Sequence, residues 1–460
     1  MRYRFLLLPI LFFTCFVSFG QKVAVWLTDP SQNILFQQQA DLSFIKAAGN
    51  PNITVDPKQS FQTIDGFGFT LNGGSAQHLL NMGAAQRKAL LEELFGTKGN
   101  QIGTSYLRLS IGASDLNDSV FSYNDLPNGE TDVAMQKFDL GQDKKDIIPV
   151  LKEILSINPK IKLMGSPWSP PTWMKTNNDT RGGSLKPEYY AAYALYLVKY
   201  VTEMQKQGIA IDAITVQNEP LHPGNNPSLL MLAKDQAEFV KKHLGPAFKK
   251  AKLKTKIIIY DHNADKPEYP ISILDDAEAK QYIDGSAFHL YGGKIEALSK
   301  VHEAHPDKNI YFTEQWVGGP GNIKTDFPFH VEHLIIGATR NWAKTVLEWN
   351  LAANSKYEPF TDRGGCTSCL GAVTIDGNEV KRNPAYYIIA QAAKFARPGA
   401  VRIASNSSKE LPNVVFRNTD GKLAMVVINR SKEQKNFTVG YNDKTVQVSL
   451  NSNAAATLVW

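Results

Sequence analysis

The sequence predicts an α/β fold, a (β/α)8 TIM barrel with an antiparallel β-sandwich side domain built from both chain ends. Eight apolar runs, rich in β-branched and aromatic residues, alternate with stretches that carry apolar residues at helical spacing. This alternation is typical of a parallel sheet that is wrapped by helices. Beyond Arg397-Pro398-Gly399 the chain changes to short runs separated by Asn, Asp, Gly and Ser, which indicates antiparallel strands.

The first twenty residues have the pattern of an export signal. Two arginines precede the apolar run Phe5–Val17, and small residues precede a cleavage point before Gln21. The run is short for a membrane span, although a retained anchor is the alternative. We therefore expect a signal peptide over residues 1–20 and a secreted or periplasmic protein. Lipid anchoring at Cys15 is not expected, because the threonine before it is a poor fit for such processing.

Two predicted strands, Lys22–Leu27 and Ile53–Asp56, follow the signal and have no helical partner. We therefore expect residues 21–60 to pack on the sandwich and residues 61–398 to form the barrel. The eight predicted barrel strands are Gln62–Thr70, Ser105–Ile111, Ile161–Ser166, Ala213–Gln217, Lys256–Asp261, Gly285–Tyr291, Asn309–Thr313 and Lys344–Trp349.

The predicted helices are clearest in Ala76–Phe95, Pro187–Gln207 and Leu229–Ala251, and Pro384–Phe395 is expected to be the last helix of the barrel. Residues 399–460 should then form the C-terminal part of the sandwich. Its predicted strands are Val414–Phe416, Leu423–Asn429, Asn436–Tyr441, Thr445–Leu450 and Ala455–Trp460.

Composition and charge exclude some classes of partner. Hydrophobic residues make up 43% of the chain and charged residues 20%, which is ordinary for a globular protein. Without residues 1–20 the chain has 48 basic and 44 acidic residues, a net charge of +4, and it contains no basic block. Nucleic acid is therefore not an expected partner, and no stable protein partner is implied.

Cys366 and Cys369 are the cysteines that remain after residue 20, and they lie in a Gly-rich loop. A redox CxxC motif would normally open a helix, and a zinc site would need further Cys or His ligands nearby. In an oxidising compartment we favour a small disulfide, with free thiols as the alternative.

Two glutamates at the ends of predicted strands carry the main prediction of function. Glu219 follows Ala213–Gln217, and Glu314 follows Asn309–Thr313. The carboxyl ends of barrel strands hold the catalytic groups of such folds, and two carboxylates there can cleave a glycosidic bond. We expect Glu219 to be a protonated general acid and base and Glu314 to be the ionised nucleophile. Retention of configuration would place the two carboxyl groups about 5–5.5 Å apart.

Other predicted strand ends carry polar and aromatic residues that suit a sugar. Arg108 and Tyr291 are expected to donate hydrogen bonds to Glu314, and Asn218 is expected to hold the sugar 2-hydroxyl. His289 is a further candidate for substrate binding, although a purely structural role is an open alternative for it. We expect neither a metal nor an organic cofactor, because the chain shows no cluster of His and Asp ligands.

Several motifs resemble a known family of enzymes. Asn218-Glu219-Pro220 and Glu314 resemble the retaining glycosidases built on (β/α)8 barrels. The motifs that resemble glycoside hydrolase family 30, the glucosylceramidase family, are Gly66-Phe67-Gly68, Ser166-Pro167-Trp168-Ser169-Pro170-Pro171 and Trp349-Asn350-Leu351. This resemblance covers nearly all of the chain after residue 20.

The resemblance implies a role for each of these residues. It implies Glu219 as acid and base and Glu314 as nucleophile. It also implies a glucose subsite lined by Asp115, Trp168, Asn218, Tyr291 and Trp349. The set of Asp115, Trp168 and Trp349 favours glucose over xylose, because it resembles the groups that bind the 4- and 6-hydroxyls.

Trp316 departs from the pattern of glucosylceramidases, which commonly carry a smaller residue after the nucleophile. It could stack on the sugar beyond the scissile bond and suit a soluble β-glucan, or it could pack against the barrel rim. We expect a secreted retaining β-glycosidase with a β-1,6-linked glucan or a glucosylated lipid as substrate. A β-xylosidase or β-fucosidase of the same family and a non-catalytic carbohydrate-binding protein are the alternatives.

Overall fold

The computed structural model describes residues 21–460, which form a closed parallel barrel and an antiparallel sandwich. The predicted signal peptide and Cys15 lie outside the described residues. The barrel strands are β1 (Gly66–Leu71), β2 (Tyr106–Ile111), β3 (Lys162–Pro167), β4 (Ala213–Thr215), β5 (Lys256–Ala264), β6 (Ile283–Gly293), β7 (Asn309–Glu314) and β8 (Ala343–Asn350). They pair in chain order and β8 closes on β1, so the predicted fold class is confirmed.

A single apolar layer fills the lower interior of the barrel. Strands β2 to β8 each contribute one buried side chain to it, namely Tyr106, Met164, Ala213, Ile258, Ala287, Tyr311 and Leu347. Strand β1 contributes Gly68 to the wall instead, and a Cβ there would lie 1.8 Å from the carbonyl oxygen of Tyr106. The glycine therefore allows β1 and β2 to approach closely.

Helices cover the outside of the barrel. The α-helices are Gly73–Asn81, Ala84–Phe95, Ile147–Ile157, Tyr190–Lys206, Ala233–Phe239, Gly245–Lys250, Glu268–Leu274, Ala277–Lys280, Ala297–Ala304, Ile323–His330 and Pro384–Ala393. Two π-helical segments lie at Val240–Leu244 and Val331–Ala338, and short 3-10 turns at Gly141–Lys144, Thr172–Met174 and Pro187–Tyr189.

Two predicted helices differ from the observed ones. The stretch Ala76–Phe95 is interrupted before Gly83, so it forms two helices rather than one. The stretch Leu229–Ala251 becomes helical only at Ala233 and passes through a π-helical segment before Pro246. Since proline has no N–H to donate, a regular ladder of hydrogen bonds cannot continue through that position.

The sandwich is built from both chain ends. Its strands are Lys22–Asp29, Ile34–Gln38, Leu42–Ser43, Ile45–Lys46, Ile53–Thr63, Val401–Ser405, Asn413–Arg417, Leu423–Ile428, Lys435–Tyr441, Lys444–Leu450 and Ala455–Val459. The first strand pairs with the last one, and Ile53–Thr63 pairs with Val401–Ser405. The predicted boundary at residue 60 therefore falls inside a sandwich strand, and Gln62 belongs to the sandwich rather than to β1.

Smaller sheets border the barrel. Val317–Gly318 pairs with Cys369–Leu370, and Ala352–Ala353, Val373–Asp376 and Glu379–Arg382 form a three-stranded sheet. In the part of the chain from residue 21 onward, no helix combines the length and the apolar character that crossing a membrane requires.

Aromatic contacts join the sandwich to the barrel. The rings of Phe67 on β1 and Phe416 in the sandwich lie 5.9 Å apart in an edge-to-face arrangement, and both side chains are fully buried. The two domains therefore share part of one hydrophobic core.

Replacing Phe416 tests whether this contact stabilises both domains. We expect Phe416→Ala to lower the free energy of unfolding by about 3–5 kcal/mol, because it leaves a cavity in the shared core. The measurement is urea unfolding followed by tryptophan fluorescence. The matched control is Phe329→Ala, since Phe329 is 42% exposed. Equal unfolding midpoints for the two variants would contradict the assignment of Phe416 to a shared core.

Candidate active site

A polar layer lies above the apolar layer inside the barrel. Residues two positions apart on a strand share a face, so the next inward residue on each strand lies nearer its carboxyl end. This second layer consists of Arg108, Ser166, Thr215, His289, Thr313 and Trp349, all of them buried. The apolar layer below closes the barrel, and the polar layer forms the floor of the candidate site.

The guanidinium of Arg108 lies at the centre of this layer. Its Nη1 donates to Oε2 of Glu314 at 2.5 Å, and its Nη2 donates to Asn218 at 2.6 Å and to Asp261 at 2.8 Å. Its Nε donates to Ser166, and its Cζ lies 4.8 Å from the centre of the Trp168 ring. One fully buried cation therefore holds four polar side chains and one indole in place.

Asp261 on β5 completes the polar layer. One oxygen accepts from Arg108 and from Thr215, and the other accepts from Thr313 and lies 3.1 Å from His289 Nε2. Burial raises the pKa of Asp261, but these charges and hydrogen bonds outweigh burial and lower it overall. Asp261 is thus a permanent anion that compensates Arg108.

A bulge in β5 places Asp261 there. Regular alternation from Ile258 would point Tyr260 into the barrel. The pairing with β6 shifts between Tyr260 and His262, and Tyr260 and Asp261 have φ values of +71° and +65°. Such left-handed values are rare outside glycine, and a period-two pattern does not reveal them.

Glu314 is held by two donors, as the sequence predicts. Arg108 binds its Oε2, and the Tyr291 hydroxyl donates to its Oε1 at 3.0 Å. Only 6% of Glu314 is exposed. These contacts fix the carboxylate in one orientation above the polar layer.

Glu219 faces Glu314 from the end of β4. Its Oε1 lies 3.2 Å from His289 Nδ1, and its Oε2 accepts from Asn225 at 3.3 Å. Its backbone has a φ of +44°, a strained conformation that turns the side chain toward the cavity. One carboxylate oxygen of Glu219 lies within 4.8 Å of one of Glu314. Two carboxylates this close resemble the arrangement of retaining glycosidases, in which the carboxyl groups lie about 5–5.5 Å apart.

The charges of the two glutamates differ from the expected division. Burial raises the pKa of Glu219, but the hydrogen bond and charge of His289 outweigh it and lower this pKa overall. Burial also raises the pKa of Glu314, which His289 and Arg108 only partly oppose, so this pKa is raised. The pKa of Glu219 is thus shifted in the opposite direction to the one expected, because the sequence did not reveal its contact with His289. The two carboxyls titrate as a pair.

His289 joins both carboxylates to the polar layer. Burial lowers its pKa, but Glu314, Asp261 and Glu219 together raise it to about 9. Glu219, His289 and Glu314 have the residue types of a metal site. However, both ring nitrogens of His289 face carboxylates, and Arg108 already supplies a positive charge to Glu314. The arrangement therefore fits an anion-compensating network better than a metal site.

One cavity of about 340 Å³ lies at the carboxyl end of the barrel. The predicted site residues that line it are Asp115, Glu219, Tyr291, Glu314, Trp316 and Trp349. The others lie directly behind this wall: Arg108 contacts Glu314, Trp168 and Asn218, and His289 contacts Glu219. Burial and the charges of the two glutamates raise the pKa of Asp115 to about 8. The structure thus brings all the predicted site residues together.

Trp316 combines the two roles that the sequence left open. It lines the cavity, and it also packs against a cluster that contains Trp168 and Trp349, whose rings lie 5.3 Å apart. Cavity-lining residues without a predicted role are His222, Asn225, His262, Asn263, Cys366 and Cys369. His222, Asn225 and Cys366 lie in loops, where sequence periodicity gives no information on direction, and His262 and Asn263 follow the bulge in β5.

A disulfide between Cys366 and Cys369 forms part of the cavity wall. The short ladder between Val317–Gly318 and Cys369–Leu370 attaches this loop to the segment that follows Trp316. Cys369 also packs with Trp168 and Trp349. The disulfide therefore supports the aromatic side of the cavity.

Comparisons with known proteins agree with this arrangement. The family model for the glycosyl hydrolase family 30 TIM-barrel domain matches residues 64–396, and the model for the family 30 β-sandwich domain matches residues 399–458. The chain is 33% identical over 420 residues to the endo-1,6-β-D-glucanase of Aspergillus fumigatus, and the match covers 84% of each protein. It is 29% identical over 415 residues to the lysosomal acid glucosylceramidase of Mus musculus, covering 85% of this chain and 79% of the mouse protein.

Solved structures give the same result. The structure of an endo-β1,6-glucanase is 36% identical, with a TM-score of 0.89 over 95% of this chain and 99% of that protein. SrfJ from Salmonella typhimurium is 28% identical, with a TM-score of 0.90 over 96% of this chain and 99% of that protein. The predicted resemblance is confirmed.

The pH dependence of stability tests the network around His289. Its pKa rises from about 6.5 in an unfolded chain to about 9 in the folded protein. The protonated imidazole therefore stabilises the fold fully below about pH 6.5, and this contribution disappears as the pH rises through about 9. We expect the difference in unfolding free energy between the protein and its His289→Gln variant to shrink over this interval. Urea unfolding at several pH values measures it, and a constant difference would contradict the network.

The disulfide can be tested through ligand binding. We expect Cys366→Ser/Cys369→Ser to weaken binding of a gluco-oligosaccharide about fivefold, because ordering a freed loop costs about 0.5–1.5 kcal/mol per side chain. The unfolding midpoint should change little, since so short a loop restricts the unfolded chain weakly. Quenching of tryptophan fluorescence gives the dissociation constant, and Ser368→Ala is the control within the same loop. Equal constants for both variants would contradict a supporting role.

Proposed function

The chain belongs to glycosyl hydrolase family 30 and is a glycoside hydrolase, and we propose that it is a secreted, retaining enzyme that cleaves β-glucosidic bonds by double displacement. The observation that carries the mechanism is the pair of glutamate carboxylates within 4.8 Å of each other. A β-1,6-linked glucan is the first candidate substrate, because relatives at 33% and 36% identity are named endo-β-1,6-glucanases. Glucosylceramide is the second, from a relative at 29%.

In the first step a carboxylate oxygen of Glu314 attacks the anomeric carbon. The bond from this carbon to the leaving oxygen breaks, and Glu219 transfers a proton to that oxygen. The carboxyl pair and His289 hold this proton before the reaction. A bound sugar excludes water from Glu219 and thereby favours its protonated form. Arg108 and Tyr291 keep Glu314 oriented for the attack.

In the second step water replaces Glu314 on the sugar. Ester formation has removed the negative charge of Glu314, so the ionised Glu219 no longer faces a second carboxylate. Glu219 accepts a proton from the water, whose oxygen bonds to the anomeric carbon, and Glu314 leaves as a carboxylate. Two inversions at the same carbon give net retention.

Export is proposed on the sequence of residues 1–20. The disulfide between Cys366 and Cys369 supports this proposal, because such bonds persist in oxidising compartments. Expression of the full chain with its native N-terminus, followed by N-terminal sequencing, tests it. We expect the mature protein to begin at Gln21.

Product analysis tests the mechanism. Incubation with a β-1,6-glucan, a β-1,3-glucan and glucosylceramide should release sugar whose first anomer, followed by NMR, is β. We expect Glu314→Gln and Glu219→Gln each to lower kcat by about 10³-fold or more on the preferred substrate, because each removes a group that acts in the transition state.

Glu203→Gln is the matched control, because Glu203 lies on the outer helix Tyr190–Lys206 and pairs with a surface lysine. An α-anomer as the first product, or full activity of Glu314→Gln, would overturn the mechanism. Hydrolysis of β-xylosides or β-fucosides alone would overturn the assignment to glucosides.

A further inference from the structure

The cavity has two chemically different halves. Asp115 and Trp349 lie on the side of β2 and β8, together with the indole cluster. The loop that follows β4 and the end of β5, across the barrel, contribute the second half. Its members are His222, Asn225, His262 and Asn263. The resemblance assigns the first half to the glucose that becomes bonded to Glu314, and it assigns the second half no role.

The second half consists of amide and imidazole side chains, which can donate and accept hydrogen bonds. Burial lowers the pKa of His262 to about 4, so its ring is uncharged at neutral pH, and its buried Nδ1 has no partner among the described residues. Asn225 uses its amide nitrogen for Glu219, and Asn263 uses its amide oxygen for the backbone of Tyr291. Within residues 21–460 the amide oxygen of Asn225 and the amide nitrogen of Asn263 have no hydrogen-bond partner, so both are available to a ligand.

The position of Glu219 relates this half to the leaving group. Glu219 delivers the proton to the leaving oxygen, so the fragment that departs lies on the far side of Glu219 from the polar layer. On that side the Asn225 amide nitrogen donates to Oε2 of Glu219, whereas Oε1 of Glu219 faces His289. A leaving group that binds beside Oε2 of Glu219 therefore lies next to the second half of the cavity.

Imidazole and amide groups recognise hydroxyls, whereas alkyl chains would leave them desolvated and unpaired. The apolar surface of the cavity comes from aromatic rings and the disulfide, and the lining contains no Leu, Ile, Val or Phe side chain. Trp316 supplies an aromatic face at the border between the two halves, which suits the apolar face of a sugar ring.

We propose that His222, Asn225, His262 and Asn263 form a subsite for the leaving-group sugar and that Trp316 borders it. This inference rests on the proposed function and names a polar saccharide chain, rather than a glucosylated lipid, as the substrate class. His222 makes the sharpest probe, because it is exposed and its side chain has no hydrogen bond within the described residues.

The test compares two substrates that share the glucose to be transferred. A β-1,6-linked gluco-oligosaccharide places a sugar in the subsite, whereas 4-nitrophenyl β-glucoside places a ring without hydroxyls there. The quantity compared is kcat/KM for the oligosaccharide divided by kcat/KM for the nitrophenyl glucoside. We expect His222→Ala and Asn225→Ala each to lower this ratio about tenfold, because each variant loses roughly one hydrogen bond to the leaving sugar. The wild type should prefer the oligosaccharide to glucosylceramide by about 100-fold or more.

His333→Ala is the matched control, because His333 is a half-buried histidine on a helix outside the cavity. Ratios within twofold of the wild type for both His222→Ala and Asn225→Ala would overturn the subsite. Faster hydrolysis of glucosylceramide than of the oligosaccharide would overturn the substrate class. Absence of wild-type activity on all three substrates would instead overturn the proposed function, and the inference with it.

Discussion

The buried guanidinium of Arg108 is the constraint on which the site depends. A cation without access to water is strongly destabilising unless anions compensate it at close range. Asp261 and Glu314 supply this compensation at 2.8 and 2.5 Å. The bulge in β5 follows from this requirement, because it brings Asp261 into the layer that regular alternation would fill with Tyr260. Glu314 thus serves the electrostatics of the fold and the chemistry at the same time.

Much of the fold follows from local patterns. The β-branched runs that became β1 to β8 are buried on both faces, as parallel strands in a barrel must be, so their composition was diagnostic. Site residues at regular positions, such as Arg108 and His289, were predictable because they lie two positions beyond an apolar interior residue. Asp261 was not assigned, because a bulge changes the direction of a side chain without changing composition. His222 and Asn225 lie in a loop whose path depends on distant contacts.

The charge state of Glu219 shows a second limit of sequence. Its pKa depends on a histidine seventy positions away along the chain, on another strand. A sequence pattern can indicate whether a carboxyl is buried or exposed. Its pKa, however, depends on the balance between burial and one hydrogen bond, and that balance changes with distances of a few tenths of an ångström. The same holds for Trp316, which contacts both the cavity and the indole cluster.

The pairing of Lys22–Asp29 with Ala455–Val459 bears on the order of events during synthesis. A ribosome delivers the first of these strands more than four hundred residues before its partner. Until then the early strand has an unpaired edge on that side, and such edges attract other chains. The barrel strands can assemble sooner, since each neighbour along the chain is also a neighbour in space. Completion of the sandwich is therefore a late, long-range event. A chain that lacks its last strand would also leave its first strand unpaired on that side.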